Sequence, residues 1–516
     1  MRHGWMALGL LAAAALDATA QPSDPGAAPP VPAPAPPDAV AAPPPTPAVD
    51  VVELGEDLAE LRHRAVELER RLEEVEKVAA GQRLEWSGDY RASVVSYRYH
   101  GEAPDGARNP DGSPVVQDLD NVEQWLHRLR FAIKAEPHPT LRVRARLAMF
   151  KRFGTNTATS FAQDSSESRI PRDTVMRIDR AWLDWFITPE VALSIGRISY
   201  ADGSPAELRE FSPKPDATWG QQMVDGEYDT IDLTVHPARA MLARLFYASW
   251  SFPRQDDLFS ANLPLNDGTE NLRIIGGNVD LYPLPDDDLT VQLGAYHVPQ
   301  FRPFTIPLRM PGPNPSNAPP PLDGSLRFPS AKPASLGRYS NVSVLAVWRD
   351  IERSGVDLFA AGALGILDPN GEAISYPLGP NGEAVPVLTL ASADSTDHLT
   401  SFVFVGGRLR LPFGGARAPR VGVEYNRGSR YMISFATPTA NLTNKLAARG
   451  QAVEAYWIQP INKALFARLD WTFIDTAYVG GFFGPGHPAV AAMFGGTARP
   501  IDQQLHAVSL TLDTRF

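Results

Sequence analysis

The sequence contains no cysteine, and that single absence excludes several kinds of chemistry. A chain without cysteine has no disulfides, no thiolate metal ligands, no cysteine nucleophile and no lipid-modified amino-terminal cysteine. Catalytic signatures are also missing: the sequence has no Gly-x-Ser-x-Gly, no His-Glu-x-x-His and no glycine-rich phosphate loop ahead of a helix. We therefore expect neither an enzyme nor a cofactor or metal site, although Ser, His and Asp brought together from distant positions remain an alternative.

The chain also lacks a net positive charge and has no long apolar run. The formal net charge of -11 argues against a nucleic-acid-binding protein. Within Met1–Ala20, Arg2 precedes the short apolar run Ala7–Leu16, and the small residues Ala18-Thr19-Ala20 form a cleavage site. This arrangement predicts a cleaved secretory signal peptide. The alternative, an anchoring helix, would need about 20 apolar residues, whereas this run is shorter and meets Asp17. No later window predicts a membrane-spanning helix, so a membrane-spanning form would have to be a closed barrel.

Two further segments precede the main part of the chain. Residues 21–50 are rich in alanine and proline and lack apolar periodicity, which predicts an extended, disordered spacer. Residues 51–80 carry a heptad seam, with apolar side chains at alternating spacings of four and three: Leu54, Leu58, Leu61, Ala65, Leu68, Leu72, Val75 and Ala79. So short a coiled coil is marginal alone, and we therefore expect it to self-associate. A single amphipathic helix packed on its own chain is the alternative.

The segments 125–135 and 141–150 show a different periodicity, in which every second residue is apolar. Successive side chains of a strand point to opposite faces of the sheet, so each segment predicts a strand with one apolar and one mainly basic face. The basic faces carry Arg128, Arg130, Lys134, Arg142, Arg144 and Arg146. For this hairpin alone, a soluble sheet with its arginines in water is an equal alternative.

The same alternation recurs in about sixteen segments between Trp86 and Phe516, and the connections between them decide the interpretation. Short connections such as Pro137–Thr140 alternate without exception with long ones of about 20 to 40 residues, such as Ser199–Gly226. Tight turns on one rim and long loops on the other are typical of barrels in bacterial outer membranes. The sequence therefore predicts an all-β fold: a transmembrane antiparallel β-barrel of about 16 strands over residues 84–516, preceded by a short periplasmic coiled-coil helix.

The last strand carries a specific mark, because Val508, Leu510, Leu512 and the terminal Phe516 share its apolar face. This end resembles the signal read by the outer-membrane barrel assembly machinery, although Thr514 departs from it. The whole layout resembles the bacterial outer-membrane porins, and in particular the phosphate-selective porins with an amino-terminal coiled coil. It also resembles poorly characterised porin-like families with the motifs Gly88-Asp89-Tyr90-Arg91 and Ser194-Ile195-Gly196-Arg197. The resemblance implies a pore, commonly a homotrimer, surrounded by outer-membrane lipid and lipopolysaccharide.

If the apolar faces meet lipid, the six basic residues line the lumen and lower the barrier for anions. The third long connection is the candidate constriction, because the third external loop folds into the barrel in general porins. Its acids would face the basic wall and create a transverse field: Asp202, Glu207, Glu210, Asp216 and Asp225. A solvated external loop with ordinary surface charge is the alternative for this segment.

These observations predict an outer-membrane porin for passive diffusion of small hydrophilic solutes or ions. The alternative is a structural barrel that anchors a periplasmic helix or sheathes a partner protein and does not conduct.

Overall fold

The structure of the chain is a computed structural model. It describes residues 64, 66–69, 84–102, 109–152, 176–221, 224–250, 272–283, 288–301, 335–377, 384–389, 395–436, 445–478 and 500–516. The chain divides into an amino-terminal unit, Met1–Val75, and a larger unit, Glu76–Phe516. In the first unit Arg64 and residues 66–69 are helical. The predicted signal peptide, the spacer and most of the heptad seam lie outside the described residues, so they stay predictions. Among the described residues, no helix combines the length and the apolar character that crossing a membrane requires.

Sixteen antiparallel strands form one closed barrel, in which each strand pairs with its neighbours in sequence. We number them β1 (Leu84–Glu102), β2 (Val116–His138), β3 (Leu141–Arg152), β4 (Arg177–Thr188), β5 (Val191–Ser199), β6 (Glu227–Ala238), β7 (Met241–Trp250), β8 (Leu272–Leu281), β9 (Leu289–Val298), β10 (Gly337–Trp348), β11 (Val356–Pro369), β12 (His398–Arg410), β13 (Arg420–Gly428), β14 (Gly450–Pro460), β15 (Leu465–Tyr478) and β16 (Pro500–Arg515). Each predicted strand corresponds to one of these. The all-β class and the strand number are confirmed.

The barrel closes where β1 pairs with β16, in a register that joins Asp89 to Arg515. Gly88 and the terminal Phe516 exchange two backbone hydrogen bonds of 2.8 and 3.0 Å. A Cβ atom on Gly88 would lie 2.6 Å from the Phe516 ring and 2.7 Å from the Arg130 carbonyl oxygen. Glycine is therefore required here for close approach. The Phe516 ring packs edge-on against Phe131, with 5.9 Å between the ring centroids. Two residues noted in the sequence, Gly88 and Phe516, thus meet at the seam.

The polarity of the barrel wall is inverted relative to a soluble protein, with apolar side chains outside and charged side chains inside. Large apolar side chains project outwards and are exposed, among them Leu293, Val342, Leu364, Val403, Leu469 and Leu510. Charged side chains project inwards and are buried, among them Asp89, Arg128, Asp184, Asp280, Glu424 and Asp470. Trp125, Trp348 and Trp457 are also exposed on the outer face. The alternation therefore gives the facing that the sequence predicts, with the apolar side chains outside.

The connections lie on two unequal rims. The short ones are residues 139–140, 189–190, 239–240, 282–288, 349–355, 411–419 and 461–464, and both ends of the barrel chain lie at their rim. The long ones are 103–115, 153–176, 200–226, 251–271, 299–336, 370–397, 429–449 and 479–499. The first long connection is shorter than predicted, because β1 and β2 continue beyond their predicted ends. Ion pairs between Arg98 and Asp120 and between His100 and Asp118 join the extended part of that hairpin.

Strand β4 contains the irregularity that obscures its alternation in the sequence. Its pairing with β3 shifts register between Arg146 and Leu147, which leaves Asp179 as an extra residue between Ile178 and Arg180. In such a bulge two residues oppose one, so consecutive side chains reach the same side of the sheet. Asp179 and Arg180 are accordingly both buried inside the barrel, next to Arg146.

The facing of the wall gives a first testable prediction. Leu293→Arg places a charge on the outer apolar face, which should cost roughly 2–4 kcal/mol in a membrane. Thr234→Arg places the same side chain on the inner wall beside an internal cavity, so we expect it to be nearly neutral. Urea unfolding of the barrel in lipid vesicles measures both variants. Equal losses would show that the assignment of faces is wrong.

Gln292 is unsuitable as the inner-wall control, although alternation alone would offer it as a neutral position. Its side chain is buried and accepts a hydrogen bond from the Gly220 N–H at 2.8 Å. It also donates to the Thr218 carbonyl at 2.9 Å and to Asp280 at 2.7 Å. Arginine at Gln292 would lose these contacts, so near neutrality is wrong for this position.

Candidate functional site

The third long connection, residues 200–226, runs inside the barrel, and we call it the inserted loop. It carries a short helix, α1 (Ala206–Glu210), whose five residues are all buried. The loop contacts opposite walls, because Glu210 reaches β1 and β15 whereas Gly220 reaches Gln292 on β9. A solvated external loop is therefore not what this segment forms.

Buried ion pairs fasten α1 to the wall. Glu210 pairs with Arg91 and, at 3.0 Å, with Arg468, which is fully buried. Arg209 pairs with Glu454 at 3.1 Å. Burial alone would raise the pKa of Glu210, but the guanidinium groups of Arg91, Arg468 and Arg209 hold it well below its usual range. Glu210 therefore stays ionised, and its charge attaches α1 to Arg91 and Arg468 of the wall.

Glu207 and Asp202 lie at the start of the loop. Glu207 pairs with Arg349 on the short-connection side of β10, at 2.5 Å. Asp202 has a left-handed backbone, with φ of 57°, and its carbonyl accepts the Asp216 N–H at 3.0 Å. This bond holds residues 202 and 216 of the inserted loop next to each other. The side chain of Asp225, the remaining predicted acid, lies outside the described part of the chain.

Asp216 joins the loop to the basic wall of β2, β3 and β4. Its carboxylate lies 2.7 Å from Arg180, 2.8 Å from Arg146 and 3.4 Å from Arg130. Although 37% of its side chain is exposed to the interior, these three guanidinium groups together hold the pKa of Asp216 well below its usual value. The carboxylate of Asp216 thus bridges three arginines at the centre of the wall.

The end of the loop is held by aromatic packing. Trp219 is fully buried and packs edge-on against Phe246 of β7, with 4.6 Å between ring centroids. It also packs against Tyr200 at 5.6 Å. Trp219 belongs to an apolar cluster that fills this side of the barrel, together with Tyr228, Ile274, Val298, Phe301, Tyr339, Leu367 and Phe435.

Parts of a second connection, residues 431–435 and 445–449, also pack inside the barrel. Lys445 forms ion pairs with Glu424 of β13 and Glu454 of β14. The strand Phe435–Ala436 pairs in parallel with Val224–Asp225 of the inserted loop. The two connections therefore support each other, and one side of the barrel interior is packed like a soluble core.

The six predicted basic residues all lie on the inner wall, but they fall into two groups. Arg128, Arg130 and Arg146 are enclosed by acids: Arg128 and Arg130 both pair with Asp89, and Arg146 pairs with Asp179. Their side chains are 7%, 14% and 7% exposed, respectively. Removing one partner of such a buried pair would leave an uncompensated charge inside the wall.

Lys134, Arg142 and Arg144 form the second group and are more open to the interior. Lys134 pairs with Glu85 at 2.9 Å, Arg142 with Glu136 at 2.7 Å, and Arg144 with Asp184 at 3.4 Å. The exposed fractions of their side chains are 31%, 28% and 39%. Acids thus alternate with the bases along the wall, so the basic face is much closer to neutrality than the six cations alone would make it.

Among the described residues, two sizeable cavities border the inserted loop inside the barrel. The larger, of about 710 Å³, is bounded by β1 to β7 and the inserted loop, and it reaches the short-connection rim at Pro189 and Glu190. Its charged lining comprises six bases and five acids: Lys134, Arg142, Arg144, Arg146, Arg180, Arg244, Glu85, Asp184, Glu190, Asp216 and Asp232. The smaller, of about 380 Å³, lies between the inserted loop and β1, β2 and the carboxy terminus. Asp216 and Arg146 border both cavities.

Sequence patterns missed several of the charged residues that build this interior. Arg180 and Asp179 were hidden by the bulge in β4. Arg91 lies in the Gly-Asp-Tyr-Arg motif, but its pairing with Glu210 depends on a loop 119 residues away. Arg209 was also missed, because the inserted loop was singled out in the sequence only for its acidic residues. Inward-facing charges on β14 to β16, such as Arg468, could have been found from their alternation with Leu469 and Trp471.

Solved structures similar to this chain include several outer-membrane channels. OprB of Pseudomonas putida is 12% identical over 84% of this chain and 94% of its own, with a TM-score of 0.43. The anion-selective porin of Comamonas acidovorans is 10% identical over 84% of this chain and 99% of its own, with a TM-score of 0.41. The channel DcaP of Acinetobacter baumannii is 10% identical over 84% of this chain and 97% of its own, with a TM-score of 0.40. No curated protein matches the sequence significantly.

A family model matches residues 118–492, which begin in β2 and run to the last long connection. The match therefore covers most of the barrel, including the inserted loop and the arginine-bearing wall. The chain belongs to the family described as protein of unknown function (DUF3373).

Proposed function

We propose that this protein is a porin of the bacterial outer membrane, which lets small hydrophilic solutes or ions diffuse through a narrow, charged interior. The observation that carries the proposal is the inverted polarity of a closed barrel: apolar side chains outside, and charged side chains around water-accessible cavities inside. A barrel of this kind satisfies every backbone hydrogen bond within itself, as spanning a lipid bilayer requires. The inserted loop forms the constriction.

The partners follow from the same proposal. The exposed apolar belt contacts outer-membrane lipid and lipopolysaccharide, with exposed tryptophans near strand ends. Phe516, exposed on the outer face at the seam, is presented to the barrel assembly machinery. We also propose a homotrimer, in which the heptad segments of residues 51–80 associate.

The interior packing favours a second candidate. The apolar cluster around Trp219 and the joined connections fill one side of the barrel, as a barrel that only anchors or sheathes a partner would allow. Ion conductance of the purified protein in a planar bilayer separates the two. A porin gives discrete single-channel steps, whereas a structural barrel stays closed at every voltage.

Ion selectivity gives a prediction for the open part of the wall. Arg142→Gln with Arg144→Gln removes the two arginines of the more open group and should shift the reversal potential towards cations, more at low salt than at high salt. Because five acids share the cavity lining, the shift should be modest. Arg130 is left unchanged, since it holds Asp216 and with it the inserted loop. A normal conductance with an unchanged reversal potential at low salt would show that these arginines lie off the permeation path.

A further inference from the structure

In one wall of the larger cavity, two arginines of β3 stack on aromatic rings of β4. Arg142 and Arg144 are alternate residues of β3, so they point to the same side and lie roughly 6.7 Å apart along the strand. The guanidinium carbon of Arg142 lies 4.9 Å from the centre of the Phe186 ring, and that of Arg144 lies 5.5 Å from the centre of the Trp182 ring. Each guanidinium is therefore backed by an aromatic ring of β4, which limits its freedom.

The acids beside these arginines engage them from one edge. Glu136 accepts from Nε of Arg142 at 2.7 Å, and Asp184 lies 3.4 Å from Nε of Arg144. Asp184 is itself oriented by Trp182 Nε1 at 3.0 Å and Ser194 Oγ at 2.7 Å. Within the described part of the chain, the terminal nitrogens of both arginines have no protein acceptor. They are the donors with which arginine binds planar or tetrahedral oxyanions.

We propose that the larger cavity is a binding chamber for a small organic oxyanion, whose carboxylate or phosphate group is held by Arg142 and Arg144. The volume of about 710 Å³ lies within the usual range for small-molecule sites, about 300–1,000 Å³. Asp232 and His236 of β6 also line the cavity and give acceptors for hydroxyl groups of the same solute, and Asp232 is held in place by the Tyr200 hydroxyl at 2.7 Å. Trp182 and Phe186 are positioning residues, since they act through the arginines.

The chamber opens towards the short-connection rim and is covered by the inserted loop at Asp216 and Thr218. This inference deepens the proposed function and rests on it for the route by which the solute arrives. The binding itself can be measured whether or not the barrel conducts.

Isothermal titration calorimetry of the full-length, detergent-solubilised protein tests the chamber, with succinate, inorganic phosphate and neutral succinamide as probes. We expect succinate or phosphate to bind at a single site and succinamide not to bind. Arg142→Gln and Arg144→Gln should each weaken the anion about tenfold or more, since each removes charge-assisted hydrogen bonds. Arg98→Gln is the matched control, because that exposed arginine pairs with Asp120 far along β1, and its binding should equal wild type.

Lysine substitutions distinguish a built site from a diffuse positive field. Arg142→Lys with Arg144→Lys keeps the charge but loses the planar donor pairs, so affinity should stay well below wild type. Full binding by this variant, binding unaffected by the glutamine variants, or no binding of either anion would each overturn the proposal. Circular dichroism and heat-modifiable gel mobility show that the variants fold. A silent bilayer with intact binding would refute the channel and leave the chamber standing, and the reverse result would refute the chamber alone.

Discussion

Replacing Ser204–Gly220 of the inserted loop with a short glycine–serine linker should raise the single-channel conductance severalfold. The segment carries α1, Asp216 and Trp219, which occupy the interior between opposite walls. The barrel ladder does not depend on it, because all sixteen strands pair with one another and with no strand of this segment. Arginines that lose their loop partners, such as Arg91 and Arg468, then meet water entering the widened interior.

Bilayer recordings of the loop variant measure this effect, and heat-modifiable gel mobility confirms that the barrel still forms. The turn Asn109–Ser113 in the first long connection is a matched control. Its backbone hydrogen bonds close on themselves, between Asn109 N and Ser113 O and between Gly112 N and Asn109 O. Replacing that turn with the same linker should leave the conductance unchanged. An unchanged conductance in the variant that lacks Ser204–Gly220 would show that the loop does not restrict the path.

The strands of this barrel could be predicted from the sequence because their faces are chemically opposite. A strand such as β15, with Leu469 and Trp471 outside and Arg468 and Asp470 inside, has a period that no helix shares. The regular exchange of short and long connections then requires an up-and-down barrel. Each of these signals is local, so it can be recovered without knowing the partner strand.

The interior could be predicted only in part, because its contacts join residues that are far apart in sequence. The sequence indicated that six bases share the inner wall, and they do. It could not show that Arg128 and Arg146 are neutralised by Asp89 and Asp179, while Arg142 and Arg144 remain open. That difference depends on a bulge in β4 and on the path of the inserted loop.

The apolar cluster inside the barrel is a second feature that alternation conceals. Phe246 and Ile274 are buried inside the barrel towards the long-connection rim, whereas the sequence interpretation placed the apolar faces of the strands against lipid. Their partners, Trp219 and Phe435, come from two connections, and loop residues have no periodicity from which their placement could be inferred. The lumen is consequently narrower than the strand number of the barrel alone would suggest.

Asp216→Asn should weaken the attachment of the inserted loop to the basic wall of β2, β3 and β4, while the size and shape of the side chain stay the same. Three guanidinium groups, those of Arg180, Arg146 and Arg130, converge on the Asp216 carboxylate within 3.4 Å. With neutral asparagine at this position, the three cations repel one another and the charge-assisted hydrogen bonds to the loop are lost. The frequency of large-conductance openings should therefore rise about tenfold or more. Glu352→Gln on the short-connection rim removes one exposed carboxylate and should have no such effect.

The same residue gives the acid dependence of the wild-type protein. Because the pKa of Asp216 in the folded protein lies well below 3.8, its ionisation stabilises the attached loop fully above pH 3.8. The stabilisation is lost only as the pH falls through the lowered pKa. The frequency of large openings due to loop release should therefore stay constant from neutral pH down to pH 3.8 and rise only in stronger acid. The Asp216→Asn variant should show the high frequency already at neutral pH and remain insensitive to acid at this residue. A wild-type rise that begins well above pH 3.8 and persists in the variant would assign the attachment of the loop to another group.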